Sequence, residues 1–331
     1  MTPLAGPRLG TARLVVQLLA FAVLVYGGMV LGHYTAQKLS NALPALSCAF
    51  DQNDGAYCAL LPLQHQMHHR VGEGAARAGA LAWEMLLPTA FTLLSFFLLF
   101  VVLSKAFCGW ICPLGALQEM IGRIGRRFGL PARTMGTRLR PIKWGMLGGL
   151  VLVLPLLAGL GIAPHAAGDA YCQLCPSRIA MTLVNGDVSQ MAVPQDDAWS
   201  LGFAAGRNFI LGFVLVAALS MRQPFCRICP MLALHALTRR LSPMRLVKRR
   251  HDGCATCGLC VRACPMDIPE VRERHGPRAY SEDCTLCGRC VQFCPADGVL
   301  SLSFGPLPLA SSDAASFRAQ TRREKPDGTR R

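Results

Sequence analysis

The chain has 331 residues, of which 52% are hydrophobic and only 16% charged, with a formal net charge of +15. Soluble domains carry roughly 25% charge, and the mean hydropathy here is +0.34, so a pair of ordinary soluble domains is excluded. Sixteen cysteines, mostly in C-x2-C spacings, also exclude a disulfide-stapled toxin and point to metal sites instead.

Four apolar runs approach the length of about 20 residues that a bilayer crossing takes: residues 14–32, 85–103, 144–162 and 204–220. Arg8 and Arg13 precede the first, which is long for a signal-peptide core and lacks a small-residue cleavage pattern, so it reads as an anchor. The loop behind it carries Cys48 and Cys58, then His65, Met67, His68 and His69. That imidazole and thioether stretch reads either as copper or haem ligands or as a polar loop at the membrane surface. Covalent haem attachment is not expected, because no C-x-x-C-H occurs.

The second run ends in Cys108-x3-Cys112-Pro113, and a helix is expected over residues 114–127. That segment holds Arg123, Arg126 and Arg127, with Glu119 as its single acid. The loop between the third and fourth runs carries Cys172-x2-Cys175-Pro176 among acids, and the fourth run ends in Cys226-x2-Cys229-Pro230 before a second basic stretch. Arg207, near the start of that fourth run, reads as a side chain snorkelling to the interface or as one with a functional role. Proline favours the first helical position, which places cysteines at helix N-termini, where the positive end of the dipole favours thiolates. Positive loops stay inside, so both termini are expected in the cytoplasm and the basic excess is topology, not nucleic-acid binding. Cys108, Cys112, Cys226 and Cys229 then share the cytoplasmic side and read as one four-thiolate site or as redox-active thiol pairs. Cys48, Cys58, Cys172 and Cys175 share the outer side, either as a further centre or as disulfides. A hydrocarbon core of about 30 Å would separate the two groups and demand a relay such as a quinone or a haem.

The most specific signal is C-terminal. Cys254, Cys257, Cys260 and Cys264 before Pro265, and Cys284, Cys287, Cys290 and Cys294 before Pro295, each form C-x2-C-x2-C-x3-C-P. In this bacterial ferredoxin run the fourth cysteine serves the other cluster. One [4Fe–4S] cluster is expected on Cys254, Cys257, Cys260 and Cys294, the other on Cys284, Cys287, Cys290 and Cys264. The fold class expected is mainly α, a four-helix transmembrane bundle with a C-terminal α+β ferredoxin module. Its divisions are 1–250 for the membrane part, 251–304 for the module and 305–331 for a disordered tail.

The four spans, the phrases FCGWICP and FCRICP, and the double ferredoxin motif resemble the membrane ferredoxin-type family of the NapH subunit, with NosR and CcoG as relatives. Here Cys226–Cys229 is one residue shorter than the family's C-x3-C-P, and the outer quartet is not part of the NapH pattern. The resemblance implies a bacterial inner-membrane electron-transfer protein, a component that oxidises quinol or exchanges with the quinone pool. It would pass electrons to a partner redox protein through two [4Fe–4S] clusters and one or two further iron–sulfur centres. The oxidase-assembly relatives imply the alternative, a copper-handling metalloreductase fed by the clusters.

Overall fold

The computed structural model describes residues 6–30, 60–79, 83–134, 136, 138–184, 186, 188–194 and 197–323. Cys48 and Cys58 lie outside the described residues.

Four long helical segments follow the four apolar runs: α1 (Gly6–Val30), α4 (Trp83–Leu103), a run from α6 (Ile142–Gly145) through a π segment into α7 (Leu154–Gly159), and α10 (Ala198–Ser220). Among the described residues, Ile142–Gly159 and Ala198–Ser220 are long and apolar enough to cross a membrane by length and composition. On α10 the residues Leu211, Val214 and Ala218 are buried while Phe209, Phe213 and Val216 face outward, Phe209 with 75% of its surface exposed. A one-sided outward apolar stripe of that kind needs a partner that water cannot supply.

Short helices fill the ends. α2 (Leu60–His65) runs through a π segment, Gln66–Gly72, into α3 (Glu73–Ala78). Three helices begin at a proline that follows a cysteine: α5 (Pro113–Arg127), α9 (Pro176–Val184) and α11 (Pro230–Leu237). The missing N–H of Pro113 and Pro230 costs nothing at the first turn, and the extended backbone of Cys112 and Cys229 turns the chain into the helix. Between α7 and α9 lies α8 (Ala170–Leu174). Glycines set the close crossings. A Cβ on Gly72 would lie 2.7 Å from Gly159 Cα, and one on Gly125 would lie 2.0 Å from the Leu219 carbonyl oxygen.

The C-terminal module is larger than the sequence reading allowed. Strand β1 (Met244–Lys248), assigned above to the membrane part, pairs antiparallel with β2 (Leu300–Phe304), Met244 opposite Phe304. The expected disordered tail is also corrected for residues 307–323. β3 (Leu307–Ser311) pairs with β2, and α16 (Ala314–Arg323) packs against α1. Pro308 hides the strand pattern but is tolerated at a sheet edge. Asp313 caps α16 by accepting from the Ser316 N–H at 2.7 Å, the kind of contact that fixes a helix start.

Candidate functional site

The ferredoxin cysteines fall into two crossed groups. Cys254, Cys257, Cys260 and Cys294 line one cavity of about 140 Å³, with Lys248, His251 and Pro295 on its walls. Cys264 stands in the electrostatic field of Cys284 and Cys287, and Cys290 in that of Cys264, Cys284 and Cys287. Burial first, then neighbouring thiolates, pushes Cys264 and Cys284 up to about 12. Four thiolates cannot be held together there without a cation of high charge. Soft, anionic sulfur donors in groups of four are what an iron–sulfur cluster takes, and the residues present fit that group.

A third group of four converges beside them. Cys108 lies in the field of Cys112, Cys229 and Cys226, and Cys226 in that of Cys112 and Cys229. Burial raises Cys108 and Cys226 well above the ordinary thiol range, with the neighbouring thiolates adding to it. The group sits on a boundary. Cys108 and Cys226 pack against the core of the C-terminal module, Cys112 and Cys229 against the apolar core of the helical part. Contact with the module is intimate: a Cβ on Gly109 would lie 2.4 Å from the Thr285 carbonyl oxygen and 3.0 Å from Cys287 Cα. Trp110 Nε1 donates to the Leu286 carbonyl at 3.0 Å.

Cys175 stands apart from Cys229 by a single side chain, not by a membrane. The Tyr171 hydroxyl lies 3.6 Å from Cys229 Sγ and 3.8 Å from Cys175 Sγ. All four of Cys112, Cys229, Cys172 and Cys175 belong to one apolar core. This corrects the expectation of two groups some 30 Å apart that need a relay. The reason is local: α8 folds back onto α10, where Leu174 meets Gly206, and carries Tyr171 inward. Cys172 and Cys175 are not joined to each other by a disulfide in this structure.

The two regions also repeat each other. Gln64 Nε2 donates to the Leu60 carbonyl and to Cys172 Sγ at 3.1 Å, while its Oε1 accepts from the Tyr171 N–H. Gln118 Nε2 donates to the Leu114 carbonyl and to Cys226 Sγ at 3.5 Å, while its Oε1 accepts from the Phe225 N–H. The sequence separations, 107 and 108 residues, are the same in both. The sequence aligns accordingly: Cys58, Leu60, Gln64, Cys172, Cys175 and Pro176 match Cys112, Leu114, Gln118, Cys226, Cys229 and Pro230. Sequence reasoning missed both glutamines, although the shared phrase Leu-x-x-Leu-Gln was available as a signal. Arg207 does not snorkel to solvent: it is buried, and its guanidinium donates to Gln173 beside Cys172.

The His65–His69 stretch divides. Met67 packs into the apolar core and does not join its neighbours, because consecutive helical positions face different ways. His68 and His69 instead meet Glu73 and His165, neither of which the sequence singled out. Another missed residue is Glu119. It pairs with Arg13 of α1, with Arg123 at 3.2 Å and with Arg289 of the module at 3.5 Å.

Comparison with known proteins follows the same geometry. A 4Fe-4S binding domain matches residues 85–131 and 205–249, and a 4Fe-4S dicluster domain matches residues 253–299. YccM of Escherichia coli (strain K12), which carries a provisional name as an electron transport protein, is 33% identical over 57% of this chain and 47% of its own length. The regulatory protein NosR of Stutzerimonas stutzeri is 26% identical over 61% of this chain and 26% of its own length. The methylamine utilization ferredoxin-type protein MauN of Methylorubrum extorquens is 26% identical over 76% of this chain and 73% of its own length. The chain thus spans about half of YccM and about a quarter of NosR. No solved structure matches it. Two iron–sulfur domain models fall on the cysteine groups described above, and with these relatives the chain is similar to ferredoxin-like electron-transport proteins of the NosR/NapH type.

Proposed function

We propose that this electron-transport protein is a multi-span membrane component of a bacterial inner membrane, with its module in the cytoplasm. In this reading it carries electrons between the quinone pool and a partner redox protein. The convergence of Cys108, Cys112, Cys226 and Cys229 between the module and the helical core carries the reading. Cys254, Cys257, Cys260 and Cys294 would hold one [4Fe–4S] cluster, and Cys284, Cys287, Cys290 and Cys264 the second. Cys108, Cys112, Cys226 and Cys229 would hold a third centre, and Cys172 and Cys175, with Cys58 and Cys48, a fourth. Clusters so held supply one-electron carriage.

The chain's own residues do the rest. Gln118 and Gln64 donate amide hydrogens to Cys226 and Cys172, stabilising negative charge on sulfur. Lys105, buried and surrounded by Cys284, Cys108 and Asp283, adds a positive charge between the second and third groups. The outward apolar stripes of α4 and α10 fit a lipid bilayer.

Iron and acid-labile sulfide per chain, measured after purification without oxygen, test the proposal. More than about eight of each is expected, since about eight fill the two ferredoxin sites. Cys112→Ala should lower the count by about four and leave the EPR signals of the ferredoxin pair in place. A count of eight in both forms would overturn the third centre. Reduction by a quinol in proteoliposomes tests the quinone link.

A further inference from the structure

Outside the cysteine groups, three imidazoles and a carboxylate crowd one corner where the Gln66–Gly72 segment, α3 and the His165 loop meet. One donor atom from each of His68, His69, Glu73 and His165 lies within 4.8 Å of every other. The His68 and His69 rings stack with centroids 4.1 Å apart, and the His165 ring stands 4.7 Å from His68. Glu73 Oε1 is 2.7 Å from His69 Nδ1 and 3.8 Å from His68 Nε2. An ordinary helix-stabilising pair would account for His69 and Glu73, which are four residues apart. It does not account for His165, which arrives from a different loop, nor for the buried position of His68.

The fold spends close approaches on this corner. A Cβ on Gly168 would lie 2.1 Å from His68 Nδ1, and a Cβ on Gly159 would lie 2.2 Å from the His68 carbonyl oxygen. Both glycines let backbone close against His68. The corner also has no counterpart in the repeated core: the positions matching His68 and His69 are Gly122 and Arg123. The histidines are therefore not part of the duplicated scaffold that holds the cysteines.

We infer that His68, His69, Glu73 and His165 form a binding site for one divalent first-row transition ion of the zinc and copper class. Three imidazoles and a carboxylate are the donor set such ions prefer, while calcium and magnesium require mostly oxygen. The site lies one helical turn from Gln64, whose amide holds Cys172. It goes beyond the electron-transfer reading and stands without it.

Zinc is the probe, because it has no redox chemistry of its own. The full chain, loaded with its iron and kept anaerobic, is titrated with Zn2+ by calorimetry, and its zinc K-edge absorption is recorded. One zinc per chain is expected, with a nitrogen and oxygen shell at about 2.0–2.1 Å. His165→Ala and Glu73→Gln should each weaken binding at least tenfold while iron and sulfide stay constant. Sulfur scattering near 2.3 Å, failure to retain zinc, or binding indifferent to both His165→Ala and Glu73→Gln would overturn the site. Glu73 is partly exposed and His165 exposed, so two independent variants guard against a folding failure in either.

Discussion

Glu119 shows how one side chain can join three parts of the molecule. It sits in α5, is bonded by Gln17 and paired to Arg13 of α1, and faces Arg289 of the module. Burial alone would raise its carboxyl, but Arg13 and Arg289 outweigh burial and bring it down to about 2. A carboxylate lowered from 4.5 adds stability in full above pH 4.5, and that stability drains away as pH falls toward 2. At 1.36 kcal/mol per pKa unit, the shift is worth about 3 kcal/mol. Glu119→Gln should therefore cost about 3 kcal/mol at pH 7, because Arg13 stays buried without its charge partner. Urea midpoints compared at pH 6 and pH 4 should decline in the native chain and flatten in the variant. The sequence marks Glu119 only as a lone acid among arginines. Apart from Arg123 one turn on, its partners lie more than a hundred residues away in two directions, and no local pattern predicts such a meeting.

At the scale of elements, the Cys-Pro starts were legible: proline at the first helical position dictates both the start of α5 and the extended turn at Cys112. The crossed grouping of the ferredoxin cysteines was equally legible, because short loops that wrap a cluster permit few other pairings. Cys172-x2-Cys175-Pro176 was legible as a third Cys-Pro pair; what stayed hidden was that it and Gln64 repeat the scaffold of Cys226, Cys229 and Gln118, a register that survives only in Leu, Gln, Cys and Pro. The edge strand after Phe304 was masked by Pro308, and the packing of α16 on α1 by the absence of any apolar period in the tail. Gly125 explains how α5 reaches α10. Gly125→Ala would drive a Cβ to 2.0 Å from the Leu219 carbonyl, and overpacking of this kind costs about 1–3 kcal/mol. A loss of thermal stability in that range, with α5 more open to proteolysis near Arg126, is the expected outcome. An unchanged melting temperature would mean that the helices part without penalty.

For the whole molecule, the basic loops acquire a second meaning. Arg140 pairs with Glu270 and lies 3.0 Å from Asp283, and Lys143 reaches Glu282 at 3.0 Å as well as Asp283. Arg227 pairs with Asp267 and donates to the Pro265 and Met266 carbonyls. Arg222 donates to the Cys264 carbonyl. These cations fasten the module to the helical part through its acids, so charge read from the sequence as a topology signal serves docking. The acidic partners lie on the module, where a positive-inside argument does not look. Lys143 is fully buried; Lys143→Met should loosen the docking by about 1–3 kcal/mol, since Asp283 loses one buried partner and keeps Arg140. Limited proteolysis between Leu237 and Met244 should then release a module that keeps its own two centres. A protease-resistant variant would show that the remaining cations suffice.

The hydroxyl of Tyr171 has a consequence for direction. The duplicated scaffold places tyrosine in one copy and Phe225 in the other, so the hydroxyl is one difference between two similar sulfur groups, alongside the Lys105 charge near Cys108. Hydrogen bonds to sulfur help set the reduction potential of an iron–sulfur centre. In the proposed reading, a symmetric pair of carriers would be level, and electrons would wander between them. The hydroxyl that touches Cys175 and Cys229 tilts the pair. Tyr171→Phe should draw the two midpoint potentials away from their native separation while leaving the iron count unchanged. Potentiometric EPR titration reads that separation, and identical midpoints in both forms would show that the slope arises elsewhere. A single oxygen atom present in only one copy of the scaffold would thus bias where the electron rests.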